Sequence, residues 1–369
     1  MMLLDEPLYT FEQTIDECIL GVTGNDSLRK KLIASKGDFS NVGMQYRCAA
    51  DTAELYAIQS VSVGGDPIVI NALKKSELLK LYEQYFRASE KPARKVYDSI
   101  LNSAQDKCPF CGGIGTPRNL DHFLPKVHYP QFSVLPSNLV PSCRDCNMDG
   151  KGKNFATSAE KQIIQPYSDN QRFFIDQWIV ANYVVADDGE PGEFKYYVSP
   201  PEGWPEVDKQ RARAHFEGFD LAKRYATKAA EQLGIVLGQI RSMEQADLDI
   251  SVIKSVLLQP AIETAQFSNH WQKGMYQALY SHYTILENAK LSTPKICPCP
   301  VCEGEGLFVN YFCPLCNGKG TVVDPLEIDI SDYQNLKCPE CDGRERCRLC
   351  SGKGLISREK ALEMTRNRP

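Results

Sequence analysis

Residues 108 to 147 read CPFCGGIGTPRNLDHFLPKVHYPQFSVLPSNLVPSCRDCN, and the reading of the chain turns on them. Two Cys-x-x-Cys pairs, Cys108/Cys111 and Cys143/Cys146, bracket an Asp-His dipeptide, and Asn147 follows the last thiol directly. Four thiolates close one tetrahedral structural zinc site. The 31 residues between the pairs exceed a simple zinc ribbon, so the segment must leave the metal and return. DHFLPK and NLVPSC predict two short strands with a loop of about ten residues between them, and CRDCNMDGKGKN predicts the start of a short helix. So small a hairpin and helix has too little core of its own, and the metal would supply the folding free energy.

The residues inside the clasp carry chemistry. Asp121 is a hard oxygen ligand and Asn147 offers an amide oxygen, a set that suits Mg²⁺ or Mn²⁺. Successive side chains alternate along a strand, so His122 points away from Asp121 and stays free of the ion. A neutral imidazole can then take a proton from water.

This stretch resembles the HNH, or ββα-metal, endonuclease family, whose motif is carried here by Asp121-His122, Asn138 and Asn147. The resemblance implies that His122 is the general base, that Asp121 and Asn147 bind the catalytic metal, and that Asn138 steadies the loop holding the base. The clasp of Cys108, Cys111, Cys143 and Cys146 is similar to the zinc-containing branch of the family. Asn147 departs from the family's final His and is similar to the variant in the HNH domain of RNA-guided CRISPR nucleases. About 45 of 369 residues carry this likeness. Six cations against three carboxylates between residues 107 and 153 make the span net positive in a chain of net charge -5. Lys151 and Lys153, beside two glycines just past Asn147, are the expected phosphate contacts, with DNA ahead of RNA as partner. His128 is expected in a loop or on a phosphate.

Working outward, fifteen cysteines include six Cys-x-x-Cys pairs. In a reducing compartment such spacing reads as metal ligation. Cys299/Cys302, Cys313/Cys316, Cys338/Cys341 and Cys347/Cys350 open four imperfect copies of Cys-x-x-Cys-x-Gly-x-Gly, which resemble the zinc finger of DnaJ-type co-chaperones. The third copy has Glu345 where the second Gly belongs. These eight thiolates should bind two zincs, about three for the chain, with adjacent or nested pairing equally open. Cys18 and Cys48 read as buried core thiols.

Residues 1–105 read as mainly helical, with Leu78, Leu81, Tyr82 and Tyr85, then Val96, Tyr97 and Ile100, at helical spacing. SVSVGGDPIVINAL predicts a short extended piece. Residues 159–292 should hold two strands around an acidic Gly-Pro turn, then long helices. Residues 293–356 form the finger and 357–369 a tail. The class is therefore α+β, with a ββα-metal module at 106–158 inserted between mainly helical regions. The first residues lack a signal-peptide pattern and no apolar run approaches a membrane span, which predicts a cytoplasmic protein with no membrane partner. No GxxxxGK[ST] occurs, so any ATP dependence must come from another chain. The expected function is a metal-dependent endonuclease, resembling bacterial defence nucleases such as the HNH component of the Septu system, which implies a partner ATPase. The alternative is a non-catalytic zinc scaffold that binds nucleic acid or a partner protein.

Overall fold

The computed structural model describes residues 1–186, 192–292, 296–303, 305, 307–308, 311–317, 319–323, 333–337 and 355–366. Contacts divide the chain into two compact units, Met1–Thr284 and Ile285–Pro369, so the boundary falls ahead of the Pro294 composition change.

In the first unit, helices α1 (Phe11–Gly21), α2 (Asp26–Ala34) and α3 (Lys36–Asp51) come first. Thr10 and Gln13 cap α1 reciprocally, satisfying two otherwise orphaned N–H groups. A two-strand hairpin follows, β1 (Ile68–Ile70) with β2 (Leu73–Lys74), in the predicted extended piece. Helix α4 (Lys75–Lys80) continues as a π-helical segment through Leu81–Phe86, and α5 is Arg94–Ser103. Leu78, Leu81, Tyr82, Tyr85, Val96, Tyr97 and Ile100 are all buried, as their spacing predicts.

Strand β3 (Asn119–His122) pairs antiparallel with β4 (Leu139–Ser142), setting Asp121 opposite Val140 and His122 opposite Leu139. The strand ends at His122 where DHFLPK predicted that it would begin near there. Pro125 cannot donate to a ladder, and the backbone turns to let Phe123 N–H reach the Asn138 carbonyl at 2.7 Å. The connection is correspondingly longer than ten residues and holds two 3₁₀ turns, Pro130–Phe132 and Pro136–Asn138. After β4, residues Asp145–Lys151 form a π-helical segment.

Beyond the short α6 (Arg172–Ile175), β5 (Ile179–Val184) and β6 (Glu193–Val198) pair antiparallel as expected, and their acidic turn lies outside the described residues. Helices α7 (Glu206–Gly218) and α8 (Leu221–Gln245) follow, then α9 (Ile250–Ile253), α10 (Gln259–Glu263) and α11 (Trp271–Ser292). Along α8, Leu221, Tyr225, Ala229, Leu233, Val236 and Ile240 recur every three or four residues and form one buried stripe. Tyr225 of that stripe meets Tyr196 of β6 edge-on at 5.5 Å. One apolar core runs from Met1 to Tyr283, so the helical flanks and the cysteine-bracketed segment share it.

The second unit pairs β7 (Ile296–Pro298) with β10 (Thr321–Val323), β8 (Leu307–Phe308) with β9 (Tyr311–Phe312), and β11 (Asn335–Lys337) with β12 (Leu355–Ser357). The expected tail contains a helix, α12 (Arg358–Arg366), because Ala361 and Leu362 bury against Val301, Leu336 and Ile356. Cys18 is buried but Cys48 is exposed, which corrects the reading of both as core thiols: Cys48 lies on the outer side of α3, whose buried stripe is Phe39, Tyr46 and Ala50. No helix of the described residues is long and apolar enough to cross a membrane.

Candidate active site and zinc clasps

Cys108, Cys111, Cys143 and Cys146 are buried with their sulfurs all within 4.8 Å of one another, a set that could hold one zinc. Glycine makes the approach possible. Gly112 has φ +62, in the left-handed region, and a Cβ on Gly115 would lie 2.6 Å from Cys143 Sγ. Arg224 of α8 points its guanidinium at the clasp, with Nη1 3.2 Å from Cys146 Sγ and Nη2 3.7 Å from Cys143 Sγ. Burial costs this cation, but the neighbouring thiols more than compensate and raise its pKa. Tyr225 Oη donates to the Cys111 carbonyl at 3.2 Å. His215 Nε2 donates to the Phe110 carbonyl at 2.8 Å and its Nδ1 accepts from Ile164 N–H at 3.3 Å. Helices α7 and α8 thus brace a clasp whose last thiol lies sixty positions before α7 begins. No local sequence signal marks Arg224.

The two faces of β3 carry different chemistry. His122 is 7% exposed, and its Nε2 donates to the Ser133 carbonyl at 2.8 Å. That bond fixes the tautomer and leaves Nδ1 as the acceptor nitrogen. Tyr82 meets the imidazole edge-on at 4.5 Å, and Lys126 Nζ stands 4.3 Å over the Tyr82 ring while pairing with Glu83. Burial pushes the imidazole down to about 3, so it is neutral at ordinary pH.

Asp121 is 5% exposed, and its Oδ2 is buried with no hydrogen-bond partner. Lys151 Nζ approaches that oxygen at 3.5 Å, an ion-pair distance, while donating to the His122 carbonyl at 2.6 Å. Burial pushes the Asp121 carboxyl up to about 6 despite the Lys151 charge, and lowers the Lys151 ammonium in turn. Lys151 is therefore buried against the carboxylate and not on an open phosphate-binding surface, whereas Lys153 is exposed. Gly152, at φ +54, ends the π-helical segment between them.

Asn147 reaches the same face of β3 through Asn119, two residues before Asp121: its Nδ2 donates to Asn119 Oδ1 at 3.0 Å. Asn119 went unnoticed in the sequence, although a period of two places it beside Asp121. Asn138 is fully buried. Its Oδ1 accepts from Leu124 N–H at 2.8 Å, and its Nδ2 donates to the Leu124 and Phe132 carbonyls at 3.1 and 3.2 Å. One side chain therefore clips both ends of the loop whose Ser133 carbonyl orients His122. His128 packs against Phe155 at 4.8 Å and is half-buried.

Asp121 and Asn147 carry oxygens of the type that a hard divalent cation takes, but the Lys151 ammonium already stands against Asp121 Oδ2. The site is also closed. Cavities of about 210 and 530 Å³ adjoin the segment at Gly150, and neither is lined by Asp121 or His122.

In the second unit Cys299, Cys302, Cys313 and Cys316 gather within 4.8 Å, with Cys299 Sγ 3.7 Å from Cys313 Sγ and Cys302 Sγ 3.7 Å from Cys316 Sγ. The first two copies of the repeat therefore pair as neighbours. Gly320 N–H points at Cys316 Sγ at 3.3 Å, the role that the repeat's glycine suggests. Cys338, Cys341, Cys347 and Cys350 lie outside the described residues.

The chain is 38% identical over 291 residues to protein ea31 of Escherichia phage lambda, a match covering 76% of this chain and 97% of ea31. The chain belongs to the ea31 family. This ea31-family chain is also 32% identical over 100 residues to the Septu protein PtuB of Bacillus thuringiensis, covering 26% of the chain and 38% of PtuB. No family model matches it, and no solved structure does.

Proposed function

We propose that the chain is a metal-dependent endonuclease of the HNH type, hydrolysing phosphodiester bonds, with DNA ahead of RNA as substrate. The observation that supports this most is the division of labour on β3. Asp121 turns a carboxylate oxygen that makes no hydrogen bond, met by the Lys151 ammonium at 3.5 Å, toward the segment bearing Asn147, while His122 turns away with Nε2 spent on Ser133. Asp121 and Asn147 would hold Mg²⁺ or Mn²⁺. The bound ion supplies charge neutralisation at the phosphate and leaving oxygen. His122 withdraws the proton of the attacking water at Nδ1, the nitrogen that Ser133 leaves available. Its low pKa keeps it in the accepting form, and the negative charge of a substrate phosphate opposes that lowering. Tyr82 and Lys126 form the cover that must give way to admit substrate, and Lys126 then meets the phosphates as a cation. The likeness to PtuB supports a place in defence, and any ATPase would have to sit on a partner chain, since the sequence carries no GxxxxGK[ST].

The burial of Asp121 and His122 favours a second reading, a zinc-built scaffold that binds nucleic acid or protein without cutting it. One experiment separates the two: plasmid, single-stranded DNA and RNA incubated with the protein and Mg²⁺ or Mn²⁺, beside His122→Gln. Gln keeps an N–H for the Ser133 carbonyl but has no basic lone pair. The variant should fold normally and lose cleavage by about 10²- to 10⁴-fold. A folded His122→Gln that cuts like the parent removes His122 from the role.

A further inference from the structure

A cavity of about 210 Å³ opens beside the β3–β4 hairpin, its wall including Tyr56, Phe123, Lys151, Phe155 and Gln162. Two of these tie it to the proposed site. Phe123 follows His122 directly, and Lys151 carries the ammonium that stands 3.5 Å from Asp121 Oδ2. The aromatic walls are held in place. Phe155 is half-buried and set edge-on to Tyr129 at 5.2 Å and 87°, and Gln162 Oε1 accepts the Tyr56 N–H at 2.9 Å. The volume lies below the roughly 300–1,000 Å³ of pockets for drug-sized ligands, so it suits a single flat ring system. Aromatic faces with a few polar groups at the margin are what a heterocyclic base needs: a surface to stack on and partners for its edge.

We propose that this cavity receives one unpaired nucleobase of the substrate, stacked on Phe155 or Tyr56. The proposal rests on the nuclease reading for its ligand class. A base in a duplex is stacked and paired, and entering such a pocket costs a few kcal/mol of extrusion. The protein therefore discriminates in favour of single-stranded or locally unpaired nucleic acid, a preference that an open cleft for duplex backbone would not create.

The test uses the full chain with its zinc in place and Ca²⁺ substituted for Mg²⁺ and Mn²⁺, so that binding is read without cutting and without stripping the thiolate clusters. A single-stranded oligonucleotide bearing one 2-aminopurine is titrated beside the same strand with an abasic residue at that place. A duplex and the Phe155→Ala and Tyr56→Ala variants, checked by thermal melting, complete the set. Stacking should quench the 2-aminopurine signal, and the intact strand should bind more tightly than the duplex. The abasic strand, or loss of the stacking ring, should weaken binding by about 5- to 150-fold. Equal affinity for intact and abasic strands at every position scanned overturns the pocket, as does an absence of nucleic-acid binding. The abasic arm needs no variant to fold. Cleavage that depends on His122 but not on the base would discard the pocket and leave the nuclease standing. Base-dependent binding with no cleavage in Mg²⁺ or Mn²⁺ would do the reverse.

Discussion

At Lys151 a single ammonium serves two acceptors, the His122 carbonyl at 2.6 Å and the Asp121 carboxylate at 3.5 Å. Both charged side chains are nearly lost to solvent, a costly arrangement in which each needs the other. If Asp121 is a ligand for a divalent ion, the ammonium and the ion offer that carboxylate the same positive charge. Lys151→Met should expose the dependence. Without added divalent metal the variant should lose stability, about 3 kcal/mol at most, because the Asp121 carboxyl, released from the lowering by Lys151, recovers part of the loss by taking a proton. Millimolar Mn²⁺ should restore much of its melting temperature while hardly moving that of the parent. A variant whose melting ignores Mn²⁺ would count against Asp121 as a metal ligand, whatever its activity.

One element up, the π-helical segment Asp145–Lys151 joins the two halves of the site, since Cys146 points into the clasp while Asn147 and Lys151 lean on β3. Most of this was legible in residues 108–147. Paired thiols at fixed spacing point to clusters that could hold a metal, and alternation on a strand assigns Asp121 and His122 to opposite faces. The loop-clipping role expected of Asn138 needs only a buried amide between two carbonyls and an N–H. Illegible were the parts set by tertiary contact. Lysine beside glycine after Asn147 looks like a solvated phosphate contact, and only the fold shows Lys151 turned inward. Arg224 lies on a remote helix, and nothing near it in sequence mentions sulfur. Its guanidinium offsets the negative charge of a four-thiolate site, so Arg224→Ala should weaken zinc binding at the first clasp by about 10- to 100-fold. Chromogenic chelator competition measures this, with the Cys299 cluster as an internal control. Equal zinc release from both clusters in parent and variant would make Arg224 a bystander.

For the molecule as a whole, the two buried clusters are separate, one spanning Met1 to Tyr283 and the other built around Cys299, Cys302, Cys313 and Cys316. The first cluster includes the four thiols that could hold a zinc along with residues from helical flanks on both sides, so loss of a metal there would be felt by the entire unit and not by one small module. Among the described residues four of the second cluster's nine buried members are the thiols themselves, so metal bound there would contribute heavily to its folding free energy, on the order of 10 kcal/mol per structural zinc. Calorimetry should therefore resolve two transitions, a large one at unit 1 and a smaller one that a chelator removes first. Elemental analysis should find about three zincs: one in each gathered cluster, and a third if Cys338, Cys341, Cys347 and Cys350 close a site. Cys143→Ser should lose one zinc and lower the large transition, whereas Cys313→Ser should lose one and leave that transition where it was. A Cys143→Ser protein with full zinc content and an unmoved large transition would mean that the first clasp is not what holds the hairpin and Asn147 together, and the proposed site would lose its scaffold.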